Sequence, residues 1–259
     1  MSLGDHLREL RRRIVISAAA LILGSVAGWF LFDPVYQHLT QPLLDIAKQR
    51  GDEKSIALNY AGLTAAFSQR ISIAIFVGCI VSSPVWLYQL WAFIVPGLTK
   101  KERRVSLAFI AATVPLFLAG CWFAYQTLPK TVGILISFTP QGAVNYPEAS
   151  LYFSFVTRFI VVFGVSFVIP VFLVALNVIH VLPASVMRRT WRPAVLIIFI
   201  FAAVATPTPD PFTMFLLAIP LCLLYGGALG VATIIDRRRS KDRPDWADQD
   251  LADDEASTL

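Results

Sequence analysis

Two carboxylates stand out because of their neighbours. In PGLTKKERR, Glu102 lies among Lys100, Lys101, Arg103 and Arg104, and in SLGDHLRELRRR, Glu9 is followed by Arg11, Arg12 and Arg13. A guanidinium presents a fork of donors that matches a carboxylate bidentately, so two acids at one rim could select a pair of arginines over a pair of lysines. The surrounding bases would hold both acids ionised and discourage loosely charged competitors. Local helix chemistry offers a second account of the same residues. Thr99 and Glu102 match a capping box, and a carboxylate in a first helical turn gains about 0.3–1 kcal/mol from the helix dipole. Glu9 has Arg12 and Arg13 three and four residues on, a pairing that contributes about 0.2–0.5 kcal/mol. From these residues alone both accounts stand.

The elements that must position the two acids are set by hydrophobicity. The 259 residues are 56% hydrophobic and 15% charged, with mean hydropathy +0.66. A water-soluble domain carries about 25% charge, so much of this surface faces lipid. Apolar runs cover Ile14 to Phe32, Ile71 to Val95, Val105 to Leu128, Phe153 to Ile179, Pro193 to Thr206 and Phe212 to Ile235. Most reach the roughly 20 residues that a helix needs to cross about 30 Å of hydrocarbon. This predicts an all-α polytopic membrane protein with six transmembrane helices. The fifth run rises only about 21 Å, so it must be sheltered by protein, thin the bilayer, or form half of a re-entrant hairpin with the sixth. Ile14 to Phe32 exceeds the apolar length of a cleaved signal peptide and is read as the first helix.

The N-terminus, loop 96–104, loop 180–192 and the tail hold 16 of the 22 Lys and Arg residues, and all lie on one side if six helices alternate. By the positive-inside rule that side is the cytoplasm, with both termini inside. The net charge of +5 is then a topology signal, not the footprint of a nucleic-acid partner. Cys79, Cys121 and Cys222 fall inside apolar runs, and His6, His38 and His180 have no ligand-spaced partners, so neither a metal nor a cofactor is expected. No nucleophile and base lie within reach of one another, and no internal repeat or paired mid-membrane acids mark a secondary transporter, the leading alternative class.

The sequence predicts one membrane domain over 1–235, with an outer cap at 33–70 and an outer loop at 129–152, followed by a disordered cytoplasmic tail at 236–259. DPVYQHLTQPLLDIAKQ has helical apolar spacing, suiting either an amphipathic helix on the membrane surface or a cap packed on the bundle. Pro84, Pro115, Pro170 and Pro220 should bend their helices. Gly24/Gly28 and Gly226/Gly230 have the spacing that lets backbones approach, with packing inside the monomer favoured over dimerisation.

HLRELRRR, SSPVWLYQLWAFIVPGLTKKERR, FGVSFVIP, ATPTPDPF and LLAIP occur in this order and resemble TatC, the multispanning receptor subunit of the twin-arginine protein translocase. The resemblance spans nearly the whole chain outside the outer loop and tail, and Pro84 to Arg104 is its most specific stretch. It implies a non-enzymatic protein of the cell membrane. Such a protein binds Arg-Arg signal peptides of folded cargo at its cytoplasmic face and works with single-span TatA-type and TatB-type partners in proton-gradient-driven transport. It also implies a cupped wall whose last two helices are short, and leaves room for homo-oligomers. By motif, Glu9 and Glu102 contact the arginine pair and Arg11, Arg104 and Phe93 complete the patch. Pro42 shapes the outer cap, and Asp210 sits in the outer turn between the fifth and sixth helices. Three positions depart from the pattern: Val168 replaces the glutamate usual in FGVSFE, Met214 a polar position after Asp210, and Gly226 an acid after LLAIP. A mid-bilayer charge costs at least about 2.5 kcal/mol and marks function, so its absence predicts an unusually apolar groove and altered partner docking.

Overall fold

The computed structural model describes residues 3–49, 58–94, 102–140, 147–179, 181–206 and 210–241. They form α1 (Leu3–Phe30), α2 (Phe32–Gln49), α3 (Ala65–Val81), α4 (Ser83–Ile94), α5 (Glu102–Ser137), α6 (Ala149–Val178), α7 (Ala184–Arg189), α8 (Trp191–Ala205) and α9 (Pro211–Lys241). α1, α5, α6 and α9 are long and apolar enough to cross a membrane, and α3 with α4 makes one further span bent by 60°. With the apolar but shorter α8, these elements account for the six expected runs.

The bend lies where Pro84 denies the helix an amide. Carbonyls exposed by such a break need new donors in lipid. The Trp86 indole supplies one, donating to Cys79 O at 3.0 Å. Pro115, Pro129, Pro170 and Pro220 sit inside continuous helices.

Close backbone contact assembles the bundle. A Cβ built on Gly28 would stand 2.5 Å from Ala74 O, and one on Gly24 would stand 2.8 Å from Gly78 O, so α1 lies directly against α3. Between α5 and α6, Gly120 and Gly164 do the same, and a Cβ on Gly120 would lie 2.7 Å from Phe163 O. Small residues are how helices gain van der Waals contact where lipid tails are as apolar as the side chains. The Gly24/Gly28 pair thus packs inside the monomer, as expected. Gly226 and Gly230 do not: among the described residues a Cβ on either meets nothing within 4 Å, so this face of α9 is open to them. Spacing alone could not distinguish the two pairs, because both faces are apolar.

α2 is the packed cap of the two alternatives. Its Leu39, Thr40, Pro42, Leu43 and Ile46 are buried, and Tyr152 of α6 donates to Leu39 O at 2.8 Å. Three boundaries differ from the sequence reading. α5 continues through Pro129 to Ser137, because Ala124, Leu128, Val132 and Ile136 extend one buried stripe at helical spacing, so the expected outer loop at 129–152 is mostly helix. α9 runs to Lys241, six residues beyond the expected end of the membrane domain at 235, while residues 242–259 of the expected tail lie outside the described residues. The expected shortness of the last two helices holds for α8, with 15 residues, whereas α9 has 31.

Overpacking a tight helix contact costs about 1–3 kcal/mol. Gly28→Leu is therefore expected to lower the detergent-solubilised protein's thermal stability by that much, while Gly226→Leu leaves it within about 0.5 kcal/mol of the parent. Differential scanning fluorimetry of both variants checks the contrast.

Candidate functional site

One end of the bundle gathers the start of α1, the end of α4, the start of α5 and the ends of α6 and α9. α1 begins at Leu3, so Glu9 lies inside this helix rather than ahead of it. His6, Leu10, Arg13, Ser17 and Leu21 recur at spacings of three and four, which puts them on one helical face. That face meets α4. Arg13 Nη1 donates to Gln89 Oε1 at 3.3 Å, and the His6 and Phe93 rings lie 4.8 Å apart. Glu9, four residues before Arg13, pairs with it at 2.5 Å between Oε1 and Nη2, with the two side chains 39% and 20% exposed. A pair this accessible contributes under about 1 kcal/mol. A carboxylate has about four lone-pair sites, so after this bond Glu9 retains acceptor capacity toward solvent.

The sequence-nominated residues do not all converge. Glu9 and Phe93 share the α1–α4 junction. Arg11 is exposed and lies two residues from Glu9, a spacing that places it on another side of the helix. Glu102 is the first residue of α5 and Arg104 stands in the same turn, but their side chains, and Thr99, lie outside the described residues. The start of α5 is nonetheless held at this end. Trp91 of α4 stacks on Phe109 of α5 with centroids 3.8 Å apart, and Phe109 meets Phe172 of α6 edge-on at 5.1 Å. Phe109 is seven residues, about 10 Å of helix, from Glu102.

At the opposite end, Pro42 is buried in α2 and Asp210 caps α9. Thr213 N donates to Asp210 Oδ1 at 2.7 Å, and Thr213 Oγ1 donates to both carboxylate oxygens at 2.8 and 2.7 Å. This is the bonding that an acidic N-cap provides. Val168 is 3% exposed and lines an apolar cavity of about 270 Å³ with Trp86, Leu87 and Phe172. Met214 packs against the core, and Gly226 is exposed.

Sequence reasoning missed a polar joint between α6, α7 and α9. Asn177, 1% exposed, donates from Nδ2 to Leu182 O at 3.0 Å and to the Asp236 carboxylate at 3.0 and 3.2 Å. Ala184 N donates to Asp236 Oδ2 at 2.7 Å, and Arg239 donates to the α6 carbonyls of Asn177 and Val178 at 3.1 and 2.6 Å. The orphan carbonyls that end α6 and an orphan amide that starts α7 thereby find charged partners. Asn177 as the lone amide of its apolar run, with Asp236 and Arg239 three apart after the last, was the available signal.

The family model described as Sec-independent protein translocase protein (TatC) matches residues 5–220. This chain belongs to the TatC family. A TatC protein of Xylanimonas cellulosilytica is 48% identical over 242 residues, covering 93% of this chain and 87% of its own. One from Frankia casuarinae is 40% identical over 268 residues, covering all of this chain and 73% of its own. The crystal structure of the twin arginine translocase receptor TatC in DDM superimposes with a TM-score of 0.74 at 33% identity, covering 88% of this chain and 99% of that one. The chain is thus a multi-pass membrane component of the Sec-independent translocase.

Removing the Asp236 carboxylate strands the Asn177 and Ala184 donors, and a buried donor left unbonded costs about 1–3 kcal/mol. Asp236→Ala is expected to lose that stability and Asp236→Asn less. Hydrogen exchange in α7 should rise in the same order, measured by mass spectrometry.

Proposed function

We propose that this TatC-family protein binds twin-arginine signal peptides of folded cargo at the end formed by the starts of α1 and α5 and the end of α4. The carboxylates of Glu9 and Glu102 accept the two guanidinium groups, Phe93 gives an apolar contact beside Glu9, and Arg11 and Arg104 complete the patch. The observation that carries this reading is the Glu9 carboxylate: it is accessible, has unspent acceptor capacity, and sits at an aromatic junction on the end where the bases concentrate. A solved relative described as a twin-arginine translocase receptor supports it.

In this reading the basic end faces the cytoplasm, both termini lie on the cytoplasmic side of the cell membrane, and no chemical step is catalysed. TatA-type and TatB-type single-span partners assemble on the bundle and the proton gradient drives transport. The apolar surroundings of Val168 and the open α9 face at Gly226 support partner contacts that rest on shape rather than on buried charge.

Truncating one partner of a desolvated, hydrogen-bonded charge pair costs about 2–5 kcal/mol. Glu9→Ala and Glu102→Ala should each weaken photo-crosslinking to an Arg-Arg signal peptide by at least tenfold, about 1.4 kcal/mol. The double variant should nearly abolish it. Parental crosslinking in the double variant refutes the assignment.

A further inference from the structure

A cavity of about 480 Å³ lies between α1 and α4 beneath Arg13 and Gln89, walled by Ile14, Ser17, Leu21 and Leu90 and floored by Trp86 and Val165. Trp86, Leu90 and Val165 also line the apolar cavity of about 270 Å³ at Val168, so the two form one groove running toward α6. The groove opens sideways: Ile14 is 57% exposed and Leu90 41%, on surfaces that face hydrocarbon in a membrane-spanning bundle.

The lining discriminates between occupants. From Arg13 to Leu21 the helix rises about 12 Å, so the groove follows α1 for about two turns. An extended peptide would place its amides and carbonyls in a space almost without polar partners, where unbonded backbone groups are strongly disfavoured. A hydrocarbon chain has no polar group to satisfy there. The mouth carries Arg13, which pairs with Glu9, and the same end of α1 adds Arg8, Arg11 and Arg12 against Asp5, so this end of the groove is net positive. Arg13 Nε has no hydrogen-bond partner among the described residues, and Gln89, whose Oε1 accepts from Arg13, still has amide hydrogens to give.

We propose that this groove is a lipid site: one acyl chain of an anionic phospholipid lies along α1 and α4, with its phosphate at the Arg13–Gln89 mouth. The chain fills space that would otherwise cost the walls their dispersion contacts, and the phosphate adds charge-assisted hydrogen bonds to the guanidinium. The bound lipid props α4 at a fixed distance from α1 and so sets the spacing of Phe93 from Glu9. The site stands on the groove and its mouth and does not depend on the peptide-binding proposal.

The test uses the full-length protein in phosphatidylcholine nanodiscs doped with phosphatidylglycerol carrying a diazirine in one acyl chain. Mass spectrometry of the wild type should find crosslinks concentrated in Leu10–Leu21 and Cys79–Phe93 over the lipid-facing surface of α8. Ala18→Trp, which fills the groove, should remove that excess. Arg13→Gln should cut the phosphatidylglycerol signal by about tenfold and leave that of an equivalent phosphatidylcholine probe unchanged, while Arg13→Lys restores part of it. Equal labelling of the groove and α8 in the wild type overturns the proposal without any variant. So does labelling that survives Ala18→Trp, or displacement of all groove labelling by an apolar peptide that itself crosslinks there.

Discussion

The contact of α1 on α3 through Gly24, Gly28 and Gly78 governs where everything at the basic end can lie. Backbones this close leave no room for a side chain, and lipid supplies no hydrophobic drive to hold helices together, so shape fit fixes α1 in one register. The span it packs against then turns by 60° at Ser82–Pro84, carrying α4 across toward the first turns of α1. His6 and Arg13 meet Phe93 and Gln89 as a consequence. Gly120 and Gly164 set the α5–α6 pair in the same way, and the Trp91–Phe109–Phe172 cluster ties that pair to α4. Glu9 of α1 and the start of α5 are thus held by two glycine-mediated contacts and one aromatic junction, all in apolar surroundings that resist rearrangement.

Among the described residues, the carboxylates at the two ends of the bundle use their oxygens differently. Asp210 and Asp236 spend their carboxylates on helix starts, the first on α9 and the second on α7, so both are committed to backbone amides. Among the described residues, Glu9 is spent only on a partly exposed arginine of its own helix. That difference, more than the residue type, separates a carboxylate that organises the fold from one that can take a cationic ligand. The apolar groove below Arg13 brings hydrocarbon to the same junction, so the rim is shaped from the lipid side as well as the aqueous side.

The spans were legible because 1.5 Å per residue against a fixed hydrocarbon thickness makes an apolar run nearly sufficient evidence of a crossing helix. Pro84 announced the bend by removing a donor where lipid offers no replacement. Proline misled at Pro129, where the buried stripe from Ala124 to Ile136 carried α5 through. Charge misled at Asp236, since a polar residue after an apolar run reads as tail unless its partner is known, and Asn177 lies 59 residues earlier. Of the candidate site, Glu9 and Phe93 could be nominated, but their bridge through Arg13 and Gln89 joins positions 76 apart and has no local signature. That Arg11 turns to another side of α1 than Glu9 was already fixed by their spacing of two. The open face at Gly226 and Gly230 was invisible because small-residue spacing reports the ability to pack closely, not the presence of a neighbour.

Binding one arginine pair requires Glu9 and Glu102 to stand close together. Double electron–electron resonance between spin labels at positions 9 and 102, in lipid nanodiscs with and without an Arg-Arg signal peptide, measures this directly. A shared pair requires a separation within about 20 Å, the span of roughly six extended residues, that narrows when the peptide binds. A separation well beyond that span, unchanged by saturating peptide, contradicts it.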